Sequence, residues 1–154
     1  MKVDFKKINN KALLPARISE LAGGWDVTVT EIEKIGDDLV ICKLGFALAL
    51  PKGYKLTLVP RSSLTKTHWV IQNSPGLGDE DYRGEYQLRF RCIPSGIKLK
   101  SHGGYELVYE EFPFKTGERV GQVYIEEVIP IEFNIIDELP ESIRGDGGFG
   151  STNK

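Results

Sequence analysis

The sequence predicts an all-β domain ending in a flexible glycine-rich arm, and three observations predict it. Apolar and polar residues alternate with a period of two over much of the chain. The 17 glycines and 8 prolines cut these runs into short pieces. After Pro140 the composition shifts to ESIRGDGGFGSTNK, with one aromatic and Gly145, Gly147, Gly148 and Gly150. Alternation marks antiparallel strands with one buried face. Many short, punctuated strands fit a sandwich or barrel.

In chain order, Trp25, Val27 and Val29 alternate with Asp26, Thr28 and Thr30, which predicts a first strand with an apolar face. Leu39–Leu44 and Phe46–Leu50 follow as strand candidates, then Tyr54, Leu56 and Leu58 alternating with Lys55 and Thr57. At Pro60-Arg61-Ser62-Ser63 a serine is placed to cap one short helical turn covering Leu64 to Thr67. Tyr86, Leu88, Phe90 and Cys92 alternate with Gln87, Arg89 and Arg91, the clearest strand pattern in the chain. Tyr105–Tyr109, Val120–Val128 and Ile131–Ile136 complete the expected strands. The expected division is a β-rich body over residues 1–139 and an arm over residues 140–154.

At 154 residues the chain fits one domain and can bury about two-thirds of its unfolded surface. Its net charge of -2, from 20 basic and 22 acidic residues, argues against stable nucleic-acid binding. The start, MKVDFKKINN, lacks a signal-peptide core, and no run nears the roughly 18 apolar residues of a membrane span. A cytoplasmic address is the default expectation, the host cytoplasm for a viral source. Cys42 and Cys92 read as buried small hydrophobes, and His68 and His102 as surface or core residues.

Five segments carry side chains suited to chemistry. The tail hangs a guanidinium, an aromatic ring and two hydroxyls on glycines. Glycines let backbone N–H groups approach an anion, arginine grips phosphate, and phenylalanine can stack on a base. By composition alone, a disordered end and a lid over a nucleotide fit it equally. Pro60-Arg61-Ser62-Ser63-Leu64 reads as a capped turn, or as an anion site made by the same N–H groups, two hydroxyls and an arginine. Between Asn73 and Glu85, the acids Asp79, Glu80, Asp81 and Glu85 crowd around Tyr82 and Arg83. That is either a solvated hairpin tip or a rigid mount for a general base. Gly117–Gln122 and Leu21–Val27 are each strand entries that say little alone.

In order, A-G-G-W-D, P-R-S-S-L, G-L-G-D-E-D-Y-R-G-E, G-E-R-V-G-Q and R-G-D-G-G-F-G-S-T resemble the five motifs of trimeric deoxyuridine triphosphatases, from about Ala22 to Thr152. The resemblance implies a distorted jelly-roll β fold and a homotrimer whose active sites are shared, the arm reaching a neighbouring subunit. It implies hydrolysis of dUTP to dUMP and pyrophosphate with Mg²⁺, which limits uracil in DNA and supplies dUMP. By position, Asp79 matches the aspartate that activates the attacking water, and Tyr82 the tyrosine under the deoxyribose that excludes a 2′-hydroxyl. Asn73 and the backbone that follows, including Gly76, match the elements that read uracil. Asp26 matches the aspartate that holds Mg²⁺ through water. Arg61, Ser62, Ser63 and Gln122 match phosphate contacts. In the arm, Phe149 covers the base, while Arg144, Gly150, Ser151 and Thr152 match elements closing over the phosphates.

Some positions depart from the family's usual wording. Gly78 stands where a branched aliphatic is common, which predicts a looser hairpin. Ser63 replaces a frequent glycine, Gly121 a frequent alanine and Asn153 a usual glycine. The segment Pro94 to Phe114 is long for its place and predicts an inserted hairpin or loop. Two rivals stay open: a relative of dCTP deaminase, which shares an R-S-S-L segment, and a dUTP-binding regulatory protein on the same scaffold. D-Y-R-G-E and the Phe-Gly-Ser-Thr tail favour the triphosphatase.

Overall fold

The computed structural model describes residues 1–148. It is a jelly-roll-like sandwich of short strands on one core. The strands are β1 (Asp4–Lys7), β2 (Trp25–Thr28), β3 (Glu31–Ile35), β4 (Leu39–Lys43), β5 (Phe46–Ala49) and β6 (Tyr54–Pro60). They continue as β7 (Trp69–Ile71), β8 (Gly76–Gly78), β9 (Gln87–Cys92), β10 (Gly96–Leu99), β11 (Tyr105–Val108) and β12 (Arg119–Glu127). Two four-stranded sheets, ordered β2-β12-β6-β8 and β3-β4-β9-β7, form the layers. The pairs β1-β5 and β10-β11 stand beside them.

Sequence alternation builds the packing. On β9, Leu88, Phe90 and Cys92 are buried against Val40 and Cys42 of β4, and from the other sheet come Val27, Leu56, Leu58, Val120 and Val123. The layers approach closely at Gly121, where a Cβ would strike the Leu88 side chain and sit 3.1 Å from the Val59 carbonyl. Glycine replaces the family's frequent alanine where that space is closed. Cys42 and Cys92 are buried and unbonded to each other, as expected, and burial pushes the Cys42 thiol up to about 12. Among the described residues no helix is long and apolar enough to cross a membrane.

Three expectations need correction. The turn at Ser62–Lys66 is a 3-10 turn, and its N-cap is Arg61, in extended conformation, with no side-chain cap bond. A five-residue 3-10 turn has too few aligned peptides to act as a helix dipole. The alternation around Trp25 predicts one buried face; Val27 and Val29 are buried on it, but Asp26 and Thr30 are buried as well and Trp25 is 38% exposed, with Arg17 stacked over its ring. Finally, Ile131–Ile136 is not a strand. Ile129, Ile131, Phe133 and Ile135 lie 72–96% exposed, because a strand needs a backbone partner that this stretch does not find within its own chain.

The long segment 94–114 is indeed a hairpin, β10 against β11. Its return limb is tied down at three points. The Trp69 indole N–H donates to the Glu111 carbonyl (3.2 Å), and the His68 ring and backbone N–H bond Glu110 at 2.7 and 3.2 Å. Phe112 and Phe114 pack on Phe90.

Candidate functional site

The predicted residues gather into two groups. The first lies where β2 and β12 pair, with Gln122 opposite Asp26, and where β12 meets the end of β6. Asp26 is 4% exposed, which demands that its charge be paired. It is held by Arg119 Nη1 donating to Oδ2 at 2.9 Å, Gln122 Nε2 donating to Oδ1 at 3.0 Å and Arg61 Nε 3.4 Å from Oδ1. Arg61 also donates to the Arg119 carbonyl (3.3 Å). Two guanidiniums are thus fixed beside one carboxylate, with the exposed Ser62 and Ser63 next along the chain. Arg119 was not singled out in the sequence. An arginine three residues before Gln122 carries no signal until the sheet brings it to Asp26.

The second group surrounds a cavity of about 460 Å³ lined by Asn73, Gly76, Asp79, Tyr82 and Tyr86, among others, a size that suits a small ligand. Its wall is the hairpin from β8 to β9. Here the structure sorts the crowded acids by role. Glu80 accepts from the Gly53 N–H (2.5 Å) and Glu85 from the Gly45 N–H (2.8 Å), so both pin the hairpin to the body. Arg83 closes its tip by donating to the Glu80 and Tyr82 carbonyls. The Asp79 carboxylate is exposed and, among the described residues, takes no hydrogen bond or ion pair. Of the acids lining the cavity, it is the one left free to accept a proton.

The Asn73 side chain ties its loop to the neighbouring strand. Its side chain donates to the Gln87 carbonyl (3.2 Å) and accepts from the Arg89 N–H (2.8 Å), clamping the loop to β9. The Tyr82 hydroxyl donates to the Glu85 carbonyl (3.1 Å), so its ring is held at the cavity wall, edge-on to Tyr86 at 5.3 Å.

Gly78 does not loosen this hairpin. A Cβ there would lie 2.7 Å from Tyr86 Cε1 and 2.8 Å from its hydroxyl. The tyrosine ring fills the space that a branched side chain would occupy. Tyr86 is 4% exposed, and its hydroxyl finds no hydrogen-bond partner among the described residues, an arrangement that costs about 1–3 kcal/mol. Burial pushes the phenol up to about 12, with Tyr82 and Asp79 adding to the rise and Arg83 opposing it. The sequence placed Tyr86 only on a strand.

Arg144 is exposed in a turn, donating to the Gly147 carbonyl (2.6 Å). Phe149, Gly150, Ser151 and Thr152 lie outside the described residues. None of Asp26, Arg61 and Gln122 lines the Asp79 cavity.

An all-β sandwich with an unpaired acid in a cavity and a separate arginine-rich cluster has the equipment of a hydrolase that handles an anionic substrate. Comparison with known proteins narrows this class. The dUTPase family model matches residues 10–99. A deoxyuridine 5'-triphosphate nucleotidohydrolase of Nautilia profundicola is 36% identical, with 100% of each chain covered. One from Arabidopsis thaliana is 35% identical, covering 96% of this chain and 80% of the relative. Among solved structures, a Staphylococcus bacteriophage 80alpha dUTPase mutant with dUpNHpp matches with a TM-score of 0.76 at 22% identity, covering 98% of both chains. The last likeness speaks to the fold; the relatives and the family model speak to descent. The chain belongs to the dUTPase family.

Proposed function

We propose that this protein hydrolyses dUTP to dUMP and pyrophosphate, with Asp79 as the general base, and so limits uracil in DNA while supplying dUMP. The observation that carries the reading is the unpaired Asp79 carboxylate on a hairpin pinned by Glu80 and Glu85. A carboxylate with no partner among the described residues, carried on a pinned hairpin, is suited to take a proton from a water directed at the α-phosphorus, an effect of roughly 10²–10⁴-fold. Tyr82 lies under the deoxyribose and leaves no room for a 2′-hydroxyl. The backbone of residues 73–78 hydrogen-bonds the uracil edge, and a wrong base leaves polar groups unpaired there. Arg61, with Ser62, Ser63 and Gln122, binds phosphates.

Mg²⁺ fits this chain only in company with the triphosphate. Among the described residues no cluster of His, Cys, Asp and Glu could hold a metal by itself. Asp26 already accepts from Gln122 and Arg119 and pairs with Arg61. It can receive a hydrogen bond from a metal-bound water, but not ligate directly without giving up one of those partners. Such an outer contact suits an ion that keeps its waters and takes phosphate oxygens. When bound, Mg²⁺ offsets phosphate charge and improves the leaving group. Arg61 and Arg119 supply fixed positive charge beside it.

The active sites are shared within a homotrimer. Two features support this. The Asp79 cavity is lined by none of Asp26, Arg61 and Gln122, and the exposed apolar run Ile129–Ile136 calls for a covering partner. The arm from about residue 140 then closes a neighbour's site, with Phe149 over uracil and Arg144, Gly150, Ser151 and Thr152 about the phosphates. Ending the chain after Arg144 should cut turnover at least tenfold while circular dichroism and oligomer size hold.

Incubation of the purified protein with dUTP, dCTP and UTP plus Mg²⁺, following pyrophosphate and ammonia, tests the function. Pyrophosphate from dUTP alone is expected. Ammonia from dCTP would mark a deaminase, and binding of dUTP without turnover would mark a regulator.

A further inference from the structure

Tyr86 is poorly explained as filler. Its backbone is locked, donating to the Phe46 carbonyl and accepting from the Leu44 N–H at 3.0 Å each. Its ring is wedged between Phe46 and Tyr82, with centroids at 5.8 and 5.3 Å. A phenylalanine would fill that space equally well, without burying a hydroxyl that has no partner among the described residues. The hydroxyl lies directly against Gly78, where a Cβ would stand 2.8 Å away. The next residue is Asp79, whose carboxylate is also unpartnered, and both residues line the same cavity. A donor without an acceptor and an acceptor without a donor thus flank one glycine. The tyrosine is clamped, so the exposed Asp79 side chain is the part free to turn.

We propose that Tyr86 is a positioning residue for Asp79: with nucleotide in the cavity, its hydroxyl donates a hydrogen bond to the Asp79 carboxylate and holds it toward the attacking water. This rests on the reading of Asp79 as the general base. It also gives Gly78 a purpose, since any side chain there would drive the phenol off the hairpin. A hydrogen bond to the ionised carboxylate favours that form. Losing it therefore raises the proton affinity of Asp79 in the loaded enzyme, and the acid limb of kcat moves to higher pH.

The test is Tyr86→Phe in the full-length protein, with kcat and KM for dUTP measured across pH and with thermal melting. The expected result is a kcat lowered about tenfold, KM held within about twofold, and an acid limb moved up by roughly half to one pH unit. The melting temperature should be unchanged or higher, because the unpartnered hydroxyl is gone. A wild-type kcat, a lowered kcat with an unmoved acid limb, or a raised KM at constant kcat would each overturn the assignment. Asp79→Asn, assayed in parallel, separates the two levels. If it keeps full turnover, the reading of the base fails; if it is inactive while Tyr86→Phe behaves as wild type, only the positioning role fails.

Discussion

Asp26 and Asp79 are both acids of the candidate site, and their surroundings differ in every respect. Asp26 sits within a sheet, 4% exposed, with two guanidiniums and an amide on its oxygens. Asp79 stands exposed on a hairpin that Glu80 and Glu85 pin to the body. A buried carboxylate so paired organises its partners. An unpaired one on a rigid mount is available for proton transfer. The contrast teaches that the chemistry sits where the chain leaves a polar group unsatisfied, and the architecture sits where every polar group is satisfied.

The comparison can be broken most sharply at Asp79. Asp79→Asn keeps the shape and removes the base, so turnover should fall by about 10²–10⁴-fold with the melting temperature and nucleotide affinity nearly unchanged. Full turnover by this variant would remove Asp79 from the mechanism. Asp26→Asn should show the converse balance. It leaves Arg61 and Arg119 facing each other without their anion, and denaturant unfolding should register a loss of about 2 kcal/mol. That is below the 3–5 kcal/mol typical of a buried pair, because both arginines reach water, with side chains 27% and 43% exposed. An unchanged midpoint would mean the cluster is not structural.

A third acid calibrates the low end. Hydrogen bonds from the His68 backbone N–H and ring hold the Glu110 carboxyl below its ordinary value of 4.5. Because the folded-state value is the lower one, the contribution is present above that ordinary value and is lost as pH falls through the depressed one. Glu110→Gln should shift melting slightly at neutral pH, the gap to wild type should narrow as pH drops below about 4.5, and turnover should be unaffected. A gap that widened on acidification would contradict the assignment.

Much of the body was legible in the sequence. The pattern from Tyr86 to Cys92 gives β9 and its inward face because apolar residues occupy every second position there. The same logic gives Val27 and Val29 as buried but misses the burial of Asp26, since its partners are arginines more than thirty residues away in sequence and no local pattern reports them. At Ile131–Ile136 the alternation is real but no strand edge among the described residues pairs with it, so a true apolar period yields no strand. The candidate positions come from motif resemblance, and the structure gathers those it describes into two groups. Asn73 is expected beside a base, and what the sequence does not show is that its amide also bonds β9. Tyr86 reads as one more core residue, yet it explains Gly78.

The central claim is that the Asp79 of one copy and the Arg61 of another serve one site. Mixing subunits tests it most directly. Asp79→Asn and Arg61→Ala proteins, each inactive alone, are denatured together in equal amounts, refolded, and assayed for pyrophosphate from dUTP. Random reassembly of shared sites predicts recovery of about a quarter of wild-type activity. No recovery from mixed oligomers of confirmed composition would place both residues' work within a single chain and contradict the account.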